Sequence, residues 1–465
     1  MNEPVPARDE VSGYGLRRGV LSPFETLAQS VSTIAPTTTP AATIPLVCAL
    51  AGNGTWLAYV LATAAIFLVA LCVSEFAKYS SSPGSLYSFT AKILPPSLSA
   101  TSGWSLLLAY VMTGASVIGG FYHYANLLLH DARGRGTSSV LLVVVCAGIS
   151  IWIAWRDIKI SARLMLWIEA VSVSLILTLV ALVLVRTGFH PDIAQFQLRG
   201  VSGSGLRLGL VLALFSFCGF ESATTLGAEA RNPLKTIPRA VIQSALLAGL
   251  LFVLCSYTEV VGFRAVGQDL GTNQAPMRIL AALDGFPMLG VLIDIGVLVS
   301  MFAGTLACVT AAARVLLLMA HDGLAHGRLR ETHETHETPG LAIVVTGIAA
   351  SAPVIVLAAR GASGLDVYGW MGSLATYGFI VTYSLICLAL PGYLRQHGAF
   401  TRGKQALSAI ACVAMLLALA GNLYPVPEGP YGKLPYIYLG YLLTGLLWYF
   451  WRRRGRGTAL ADTAE

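Results

Sequence analysis

Long apolar segments separated by short polar loops make up most of the chain. A helix needs about 20 mostly apolar residues to cross the hydrocarbon core of a bilayer, whereas membrane β-strands alternate over about ten residues. The apolar segments here are continuous, so they predict an all-α membrane protein with twelve transmembrane helices. The twelve segments lie at roughly 22–50, 55–78, 99–129, 138–155, 161–186, 206–228, 239–262, 287–320, 340–359, 365–390, 405–424 and 434–452.

The composition supports a membrane protein. Hydrophobic residues make up 55% of the 465 positions and charged residues only 11%, against about 25% charged residues in ordinary soluble domains. A soluble chain of this length needs far more charge to cover its surface. The composition therefore excludes soluble enzymes, nucleic-acid-binding proteins and disordered chains, and it makes the lipid bilayer the expected surroundings.

Lysine and arginine residues are unevenly distributed among the predicted loops. With the N-terminus inside, most of the 30 lysines and arginines fall on the inner side, as the positive-inside rule requires. We therefore expect a multi-pass protein of the plasma (inner) membrane with both termini cytoplasmic. The chain contains no Walker-type nucleotide motif, so we expect no ATP hydrolysis.

The first predicted helix contains prolines and hydroxyl residues at its centre. Pro36 and Pro40 each remove a backbone hydrogen-bond donor, and threonines occupy positions 37–39 between them. Within lipid, the freed backbone groups must find partners or line a hydrated cavity. The pattern favours a discontinuous helix at a binding site. The alternative is a proline kink whose hydroxyls bond back to their own helix.

The sixth predicted helix carries a second set of unusual residues. Gly219 and Gly227 loosen it, and Glu221 places an ionisable group at membrane depth, where such groups are costly and usually functional. The alternative is a purely structural carboxylate that bonds free amides of a broken helix.

Helices 1 and 6 are five apart, and a broken helix that opens each of two five-helix halves is typical of an inverted repeat. The sequence therefore predicts a 5+5 inverted repeat, and this prediction rests on the paired breaks rather than on similarity between the residues of the two halves. The predicted organisation is a cytoplasmic tail at 1–21, a transporter core at 22–390 with repeats at 22–186 and 206–390, helices 11 and 12 at 405–452, and a cytoplasmic tail at 453–465.

Several motifs together resemble the amino acid–polyamine–organocation superfamily, in its amino-acid permease branch. The resemblance covers roughly residues 14–455 and implies the LeuT-type fold with discontinuous helices 1 and 6. The motifs are Phe215-Ser-Phe-Cys-Gly-Phe-Glu-Ser, Gly227-Ala-Glu-Ala-Arg-Asn-Pro-Leu-Lys-Thr-Ile-Pro-Arg239, Pro83-Gly-Ser-Leu-Tyr87, Gly103-Trp104, Ser161-Ala-Arg163, and Arg314 with His321-Asp-Gly-Leu324.

The resemblance implies a secondary active transporter, a symporter or an exchanger, that moves amino acids or related small amines by alternating access. The substrate carboxylate would meet helix amide ends, aided by threonine hydroxyls, and its ammonium would meet carbonyls of the sixth helix. The residues expected to bind substrate are Thr33, Ile34, Ala35, Pro36, Thr37, Thr38, Tyr110, Phe215, Ser216, Phe217, Cys218, Gly219, Phe220 and Tyr377; Tyr110 and Tyr377 are the candidate gates.

The chain departs from the family pattern at two places. Many members carry Gly-x-Gly in the unwound part of helix 1, where this chain has Thr33-Ile-Ala35. Some members carry a lysine in helix 5 that replaces a sodium ion, and the equivalent position here is Ser172. The coupling ion, a proton or sodium, therefore stays open.

Three acidic residues are candidates for proton coupling: Glu221 first, then Asp294 and Glu169. The alternatives are that Asp294 bonds a neighbouring helix and that Glu169 pairs with Arg163. Ser300 and Thr305 could hold sodium together with helix 1 carbonyls, although such hydroxyls more often join helices.

Other function classes fit less well. A channel is the alternative function, because broken helices also line pores. A membrane-embedded enzyme would need a cluster of His and Asp residues, which the sequence does not contain. We expect no cofactor and no metal site, and the oligomeric state stays open.

Overall fold

A computed structural model describes residues 15–16, 18–134, 136–156, 158–333, 336–424, 426 and 429–461. The side chains of residues 133, 158–166, 168 and 452–461 lie outside this description. Of the predicted tail at 1–21 the structure describes only 15–16 and 18–21, and of the predicted tail at 453–465 it describes the backbone of 453–461. The Arg163 side chain, a predicted partner of Glu169, lies outside the description.

The described part of the chain is helical and contains no β-strand. Its α-helices are α1 (Pro23–Ile34), α2 (Ile44–Ala51), α3 (Thr55–Ala77), α4 (Ser85–Ala91), α5 (Pro96–Arg133), α6 (Ser139–Arg156), α7 (Ile158–Arg186), α8 (Ile193–Phe196), α9 (Gly203–Phe215), α10 (Pro233–Arg264), α11 (Pro276–Leu283), α12 (Pro287–His321), α13 (Gly340–Ala359), α14 (Gly364–Gln396), α15 (Arg402–Leu423) and α16 (Leu434–Ala461). A π-helical turn spans Thr39–Thr43, and short 3-10 turns span Gly52–Gly54, Ser222–Leu226, Leu270–Thr272, Gly327–Arg330 and Gly429–Lys433.

Nine helical segments among the described residues are long and apolar enough to cross a membrane, which confirms an all-α membrane protein. The first has 55 residues and contains α1 to α3, more than a single crossing needs. The apolar helix α9 is shorter. The nine segments are Pro23–Ala77, Pro96–Ala132, Ser139–Arg156, Glu169–Arg186, Pro233–Arg264, Pro287–His321, Gly340–Ala359, Gly364–Gln396 and Arg402–Leu423.

The long helices α5 and α14 pack closely because glycines remove side chains from their interface. A Cβ atom on Gly378 would lie 2.4 Å from the Ser105 carbonyl oxygen, and one on Gly364 would lie 2.6 Å from the Gly119 carbonyl oxygen. Small residues allow such close backbone approach between membrane helices. The pair α5 and α14 therefore forms a rigid support beside the helix interruptions described below.

A buried ion pair joins α12 to the segment that precedes α10, on the side predicted to be cytoplasmic. Arg314 donates to both carboxylate oxygens of Glu229, at 3.0 and 2.6 Å, and also to the Thr310 carbonyl at 3.1 Å. Both side chains are only 1% exposed. The backbone around Glu229 pairs with the chain before α1, since Leu21 N donates to the Glu229 carbonyl at 2.9 Å and Arg231 N to the Leu21 carbonyl at 2.8 Å. At this end of the bundle these bonds join α12, the segment before α10 and the chain before α1.

We predict that Arg314→Met lowers the free energy of unfolding by about 3–5 kcal/mol, because it leaves the Glu229 carboxylate buried without its partner. Thermal unfolding of the purified protein measures the change as a lower Tm. Lys78→Met is the control: the Lys78 side chain is 46% exposed beside Glu75, so we expect a loss of about 1 kcal/mol or less. Equal Tm values for the two variants would contradict the assigned role of the pair.

Candidate functional site: two interrupted helices in contact

The first helical segment is interrupted where its sequence predicts. Ser22 caps α1, since its hydroxyl accepts from Glu25 N while its own N–H donates to the Glu25 carboxylate at 2.7 Å. The helix ends at Ile34 because Ala35 adopts a left-handed conformation, with φ 48° and ψ 65°. Pro36 follows and supplies no donor, and the chain resumes through the π-helical turn into α2.

The second interruption follows α9. Helix α9 ends at Phe215, and a series of turns leads through Gly219, whose φ is 102°, to the 3-10 turn Ser222–Leu226. Glycine adopts this backbone conformation without the penalty that a side chain adds. The predicted loosening at Gly219 is therefore present as a break in the helix.

The two interruptions touch each other. A Cβ atom on Gly219 would lie 2.3 Å from the Thr33 methyl carbon, so the glycine allows this approach. The Ser30 hydroxyl donates to the Phe220 carbonyl at 2.7 Å and accepts from Ala223 N at 2.9 Å. The Ser222 hydroxyl donates to the Thr33 hydroxyl at 2.8 Å. Side chains of one interruption thus satisfy backbone groups of the other.

Three buried hydroxyls near the first interruption have no hydrogen-bond partner among the described residues. They belong to Ser32, Thr37 and Thr39, each at most 2% exposed. Buried polar groups are normally hydrogen-bonded, and exceptions call for an explanation such as a water, an ion or a ligand. The hydroxyls of Thr33 and Thr38 differ, because they donate to the carbonyls of Gln29 and Ala35, at 2.7 Å in each case.

Glu221 is completely buried at the second interruption and is held by two tyrosines. Tyr110 of α5 donates to Oε1 and Tyr383 of α14 donates to Oε2, each at 2.7 Å. The Phe220 ring lies 5.3 Å from the Tyr383 ring, and the Phe379 ring lies 5.4 Å from the Tyr110 ring. The carboxyl group therefore links the interrupted segment to the rigid pair α5 and α14 within an aromatic enclosure.

Phe215 and Ser216 lie at the α9 end of the interruption. Carbon atoms of the Phe215 ring lie 2.5 Å from where a Cβ atom on Gly372 would stand, so the glycine leaves room for this ring. The centre of the Phe215 ring lies 5.6 Å from the centre of the Tyr368 ring. The Tyr368 hydroxyl shares a 2.8 Å hydrogen bond with Thr43. The Ser216 hydroxyl lies 3.2 Å from the hydroxyl of Tyr59.

Other predicted residues pack away from Glu221. The Phe217 ring lies 5.2 Å from Phe252 of α10. The Tyr377 ring stacks on Tyr438 at 5.9 Å, and its hydroxyl donates to the Asn422 carbonyl at 3.4 Å. The structure thus brings Tyr110 to Glu221 together with Tyr383, which the sequence analysis missed, and places Tyr377 beside α15 and α16.

The other two predicted acids have different partners. Asp294 accepts from the Arg278 guanidinium at 2.5 Å, which is the bond to a neighbouring helix that the sequence analysis held as an alternative. Arg278 also pairs with Asp131. The Asp294 side chain is thus tied to α11 by a charge pair.

Glu169 and Ser300, predicted separately for proton and ion coupling, are direct neighbours. The Ser300 hydroxyl donates to Glu169 Oε1 at 2.5 Å, while Oε2 has no partner in the described part of the chain. Thr305 instead donates to the Met301 carbonyl of its own helix at 2.9 Å. Ser172 stands where some family members carry a lysine. Its hydroxyl oxygen lies 2.7 Å from where a Cβ atom on Gly296 would stand, so α7 and α12 are in close contact here.

Sequence reasoning also missed Glu259 of α10. Its side chain is 1% exposed, and neither carboxylate oxygen has a partner among the described residues. The sequence could have identified this residue, because Glu259 lies within a predicted apolar segment as Glu221 does.

Comparisons with known proteins agree on one class. A sequence model of the amino acid permease family matches residues 26–423. The branched-chain amino acid permease BcaP of Bacillus subtilis is 27% identical over 309 residues, 63% of this chain and just under two thirds (65%) of that protein. BcaP of Lactococcus lactis is 25% identical over 400 residues, covering 82% of this chain and 83% of that protein. The structure of MhsT in complex with L-phenylalanine shares the fold, with a TM-score of 0.58 and 15% identity over 87% of this chain and 99% of that chain.

We predict that Gly219→Ala destabilises the protein, because the new methyl group would meet Thr33 and the positive φ would add about 1–3 kcal/mol of backbone strain. Thermal unfolding and the yield of folded protein measure the effect. Gly148→Ala in α6 is the matched control, since nothing lies within 4 Å of its Cβ position, and we expect a gain of about 0.5–1 kcal/mol there. A Gly219→Ala variant as stable as the parent would show that the two interruptions are not in close contact.

Proposed function

The chain belongs to the amino acid permease family, and on this premise we propose that it is a secondary active transporter that works by alternating access. It is a permease and not an enzyme, and its cargo is an amino acid or a related small amine. The observation that carries the proposal is the contact between two interrupted helices beside three buried hydroxyls without partners. Free polar groups of this kind, enclosed by protein, suit a small polar cargo.

We propose twelve membrane crossings in a 5+5 inverted repeat. The two interrupted segments stand at the start of the halves 22–186 and 206–390, which supports this arrangement. The shorter helix α9 with the turns after it, and the final helix α16, supply crossings beyond those identified by length and apolarity. The distribution of lysine and arginine supports cytoplasmic termini in the plasma (inner) membrane.

The cargo would lie at the first interruption, with its carboxylate on the hydroxyls of Thr37 and Thr39 and on nearby backbone amides. Its ammonium would meet carbonyls of the segment from Phe215 to Gly219, and the Phe215 ring would cover it. Two relatives are branched-chain amino acid permeases, so leucine, isoleucine and valine are the first candidates.

Glu221 would couple transport to protons. As a carboxylate it accepts from Tyr110 and Tyr383 at once. As a neutral carboxyl it carries one proton, and if it donates that proton to a tyrosine oxygen, that tyrosine has to turn its own hydrogen away. Proton binding would therefore loosen the interrupted segment from α5 or α14. Sodium coupling is less well supported, because Thr305 bonds its own helix and Ser300 bonds Glu169.

The proposal predicts saturable uptake of labelled leucine into proteoliposomes that contain the purified protein. Unlabelled leucine inside the vesicles should accelerate uptake several-fold, because a carrier returns faster when it is loaded. Protein-free vesicles are the control. Flux that rises linearly with concentration and shows no trans-stimulation would assign the chain to a channel. A thermal-shift screen of amino acids and amines should identify the cargo first, since a ligand of the folded state raises Tm.

We predict that Glu221→Gln abolishes the pH dependence of uptake, because an amide neither binds nor releases a proton in this range. Tyr110→Phe should weaken the pH dependence in the same assay. Its matched control is Tyr122→Phe on the same helix, since the Tyr122 hydroxyl bonds the Ala362 carbonyl at 2.9 Å and not Glu221. A Glu221→Gln variant that folds and keeps the parental pH profile would remove Glu221 from the coupling mechanism.

A further inference from the structure

A cavity of about 400 Å³ lies between α1, α7 and α10, and Glu221 is not among the residues that line it. Its walls are apolar: leucines of α10, valine and leucine of α7, and Leu27, Val31 and Ile34 of α1. This volume is in the range that holds small organic ligands.

The cavity connects the outer surface of the bundle to the first helix interruption. At its outer side, the Leu247 and Leu250 side chains are 58% and 70% exposed, so in a membrane this side faces lipid. At its inner side, it is lined by Ile34 and Pro36, which flank the left-handed Ala35. A molecule that enters from the lipid would thus reach the end of α1.

Two polar residues line the cavity, and only one of them is acidic. The Ser244 hydroxyl shares its one proton between the carbonyls of Phe220 and Val241, at 3.0 and 3.1 Å, and can still accept as a neutral group. Glu169 is 1% exposed and accepts from Ser300 through Oε1, while Oε2 has no partner in the described part of the chain. The cavity therefore offers one acidic acceptor within an apolar wall.

We propose that this cavity is a second ligand site, separate from the cargo site, and that its occupant is a hydrophobic amine. The protonated amino group would donate a charge-assisted hydrogen bond to Glu169 Oε2. The apolar body would lie against the leucines of α10. A neutral lipid chain would fill the apolar volume but leave the carboxylate oxygen unsatisfied, so charge complementarity favours the amine.

The site would also influence transport. Its walls belong to three helices, one of which ends at the interruption, so an occupant would hold α1 against α7 and α10. This effect on transport rests on the proposed carrier function, whereas binding of the amine does not.

The test uses 4-phenylbutylamine as the probe and 4-phenylbutan-1-ol as its neutral counterpart. Both are titrated by calorimetry into the full-length protein in nanodiscs of zwitterionic lipid, and empty nanodiscs correct for partitioning into lipid. We expect the amine to bind at least tenfold more tightly than the alcohol and to remain bound when leucine is saturating. Equal affinities would overturn the proposal, and displacement of the amine by leucine would assign the amine to the cargo site.

Variants test separately how the Glu169 charge and the cavity volume contribute to amine binding. Glu169→Gln should reduce amine affinity to the level of the alcohol, and Glu259→Gln, which changes a buried carboxyl outside the cavity wall, should have no effect. Ala170→Phe, at an exposed position of the wall, should weaken both probes by filling space, and it tests the site even if Glu169→Gln does not fold. Amine binding that is unchanged by Ala170→Phe, or equally weakened by Glu169→Gln and Glu259→Gln, would overturn the assignment. Leucine uptake plays no part in these titrations, so they fail or succeed independently of the carrier function.

Discussion

The structure depends on the requirement that backbone groups within a membrane have hydrogen-bond partners supplied by the protein. Where a helix is interrupted, backbone groups lose their partners within the helix. The chain supplies new partners by placing two interruptions against each other. Ser30 is central, because its one hydroxyl serves both a carbonyl and an amide of the opposite segment. Neither interruption could be placed alone in lipid at the same cost. The site therefore exists because the two interruptions lie against each other. The hydroxyls without partners mark where the contact between the two interruptions leaves polar groups unsatisfied.

Five buried acids fall into two groups by their neighbours, and the sixth, Glu25, belongs to the cap of α1. Glu229 and Asp294 face arginines, so their charges are neutralised within the protein and they hold helices together. Glu221 accepts from two tyrosine hydroxyls and Glu169 from a serine, while Glu259 has no hydrogen-bond partner among the described residues. A carboxyl group that has no arginine beside it can bind a mobile cation, either a proton or an amine. This distinction separates structural acids from candidates for function better than depth along a helix does.

The sequence predicted the features that have local causes. Pro36 and Gly219 disturb a helix wherever it packs, and an acid such as Glu221 in an apolar segment is visible without a structure. The partners were not predictable in the same way. Whether Tyr377 or Tyr383 faces Glu221 depends on the rotation of α14 against α5, which is set by glycine contacts between the two helices. The meeting of Glu169 with Ser300 likewise depends on how α7 packs on α12.

The pair of Glu229 and Arg314 has a consequence for how the molecule could open at that end. Separating the two charges while they stay dry is very unfavourable, whereas separation with entry of water restores hydration to both. A half-parted, anhydrous arrangement would therefore be sparsely populated. That end of the bundle should therefore populate two states, one closed with the pair dry and one open with both charges hydrated.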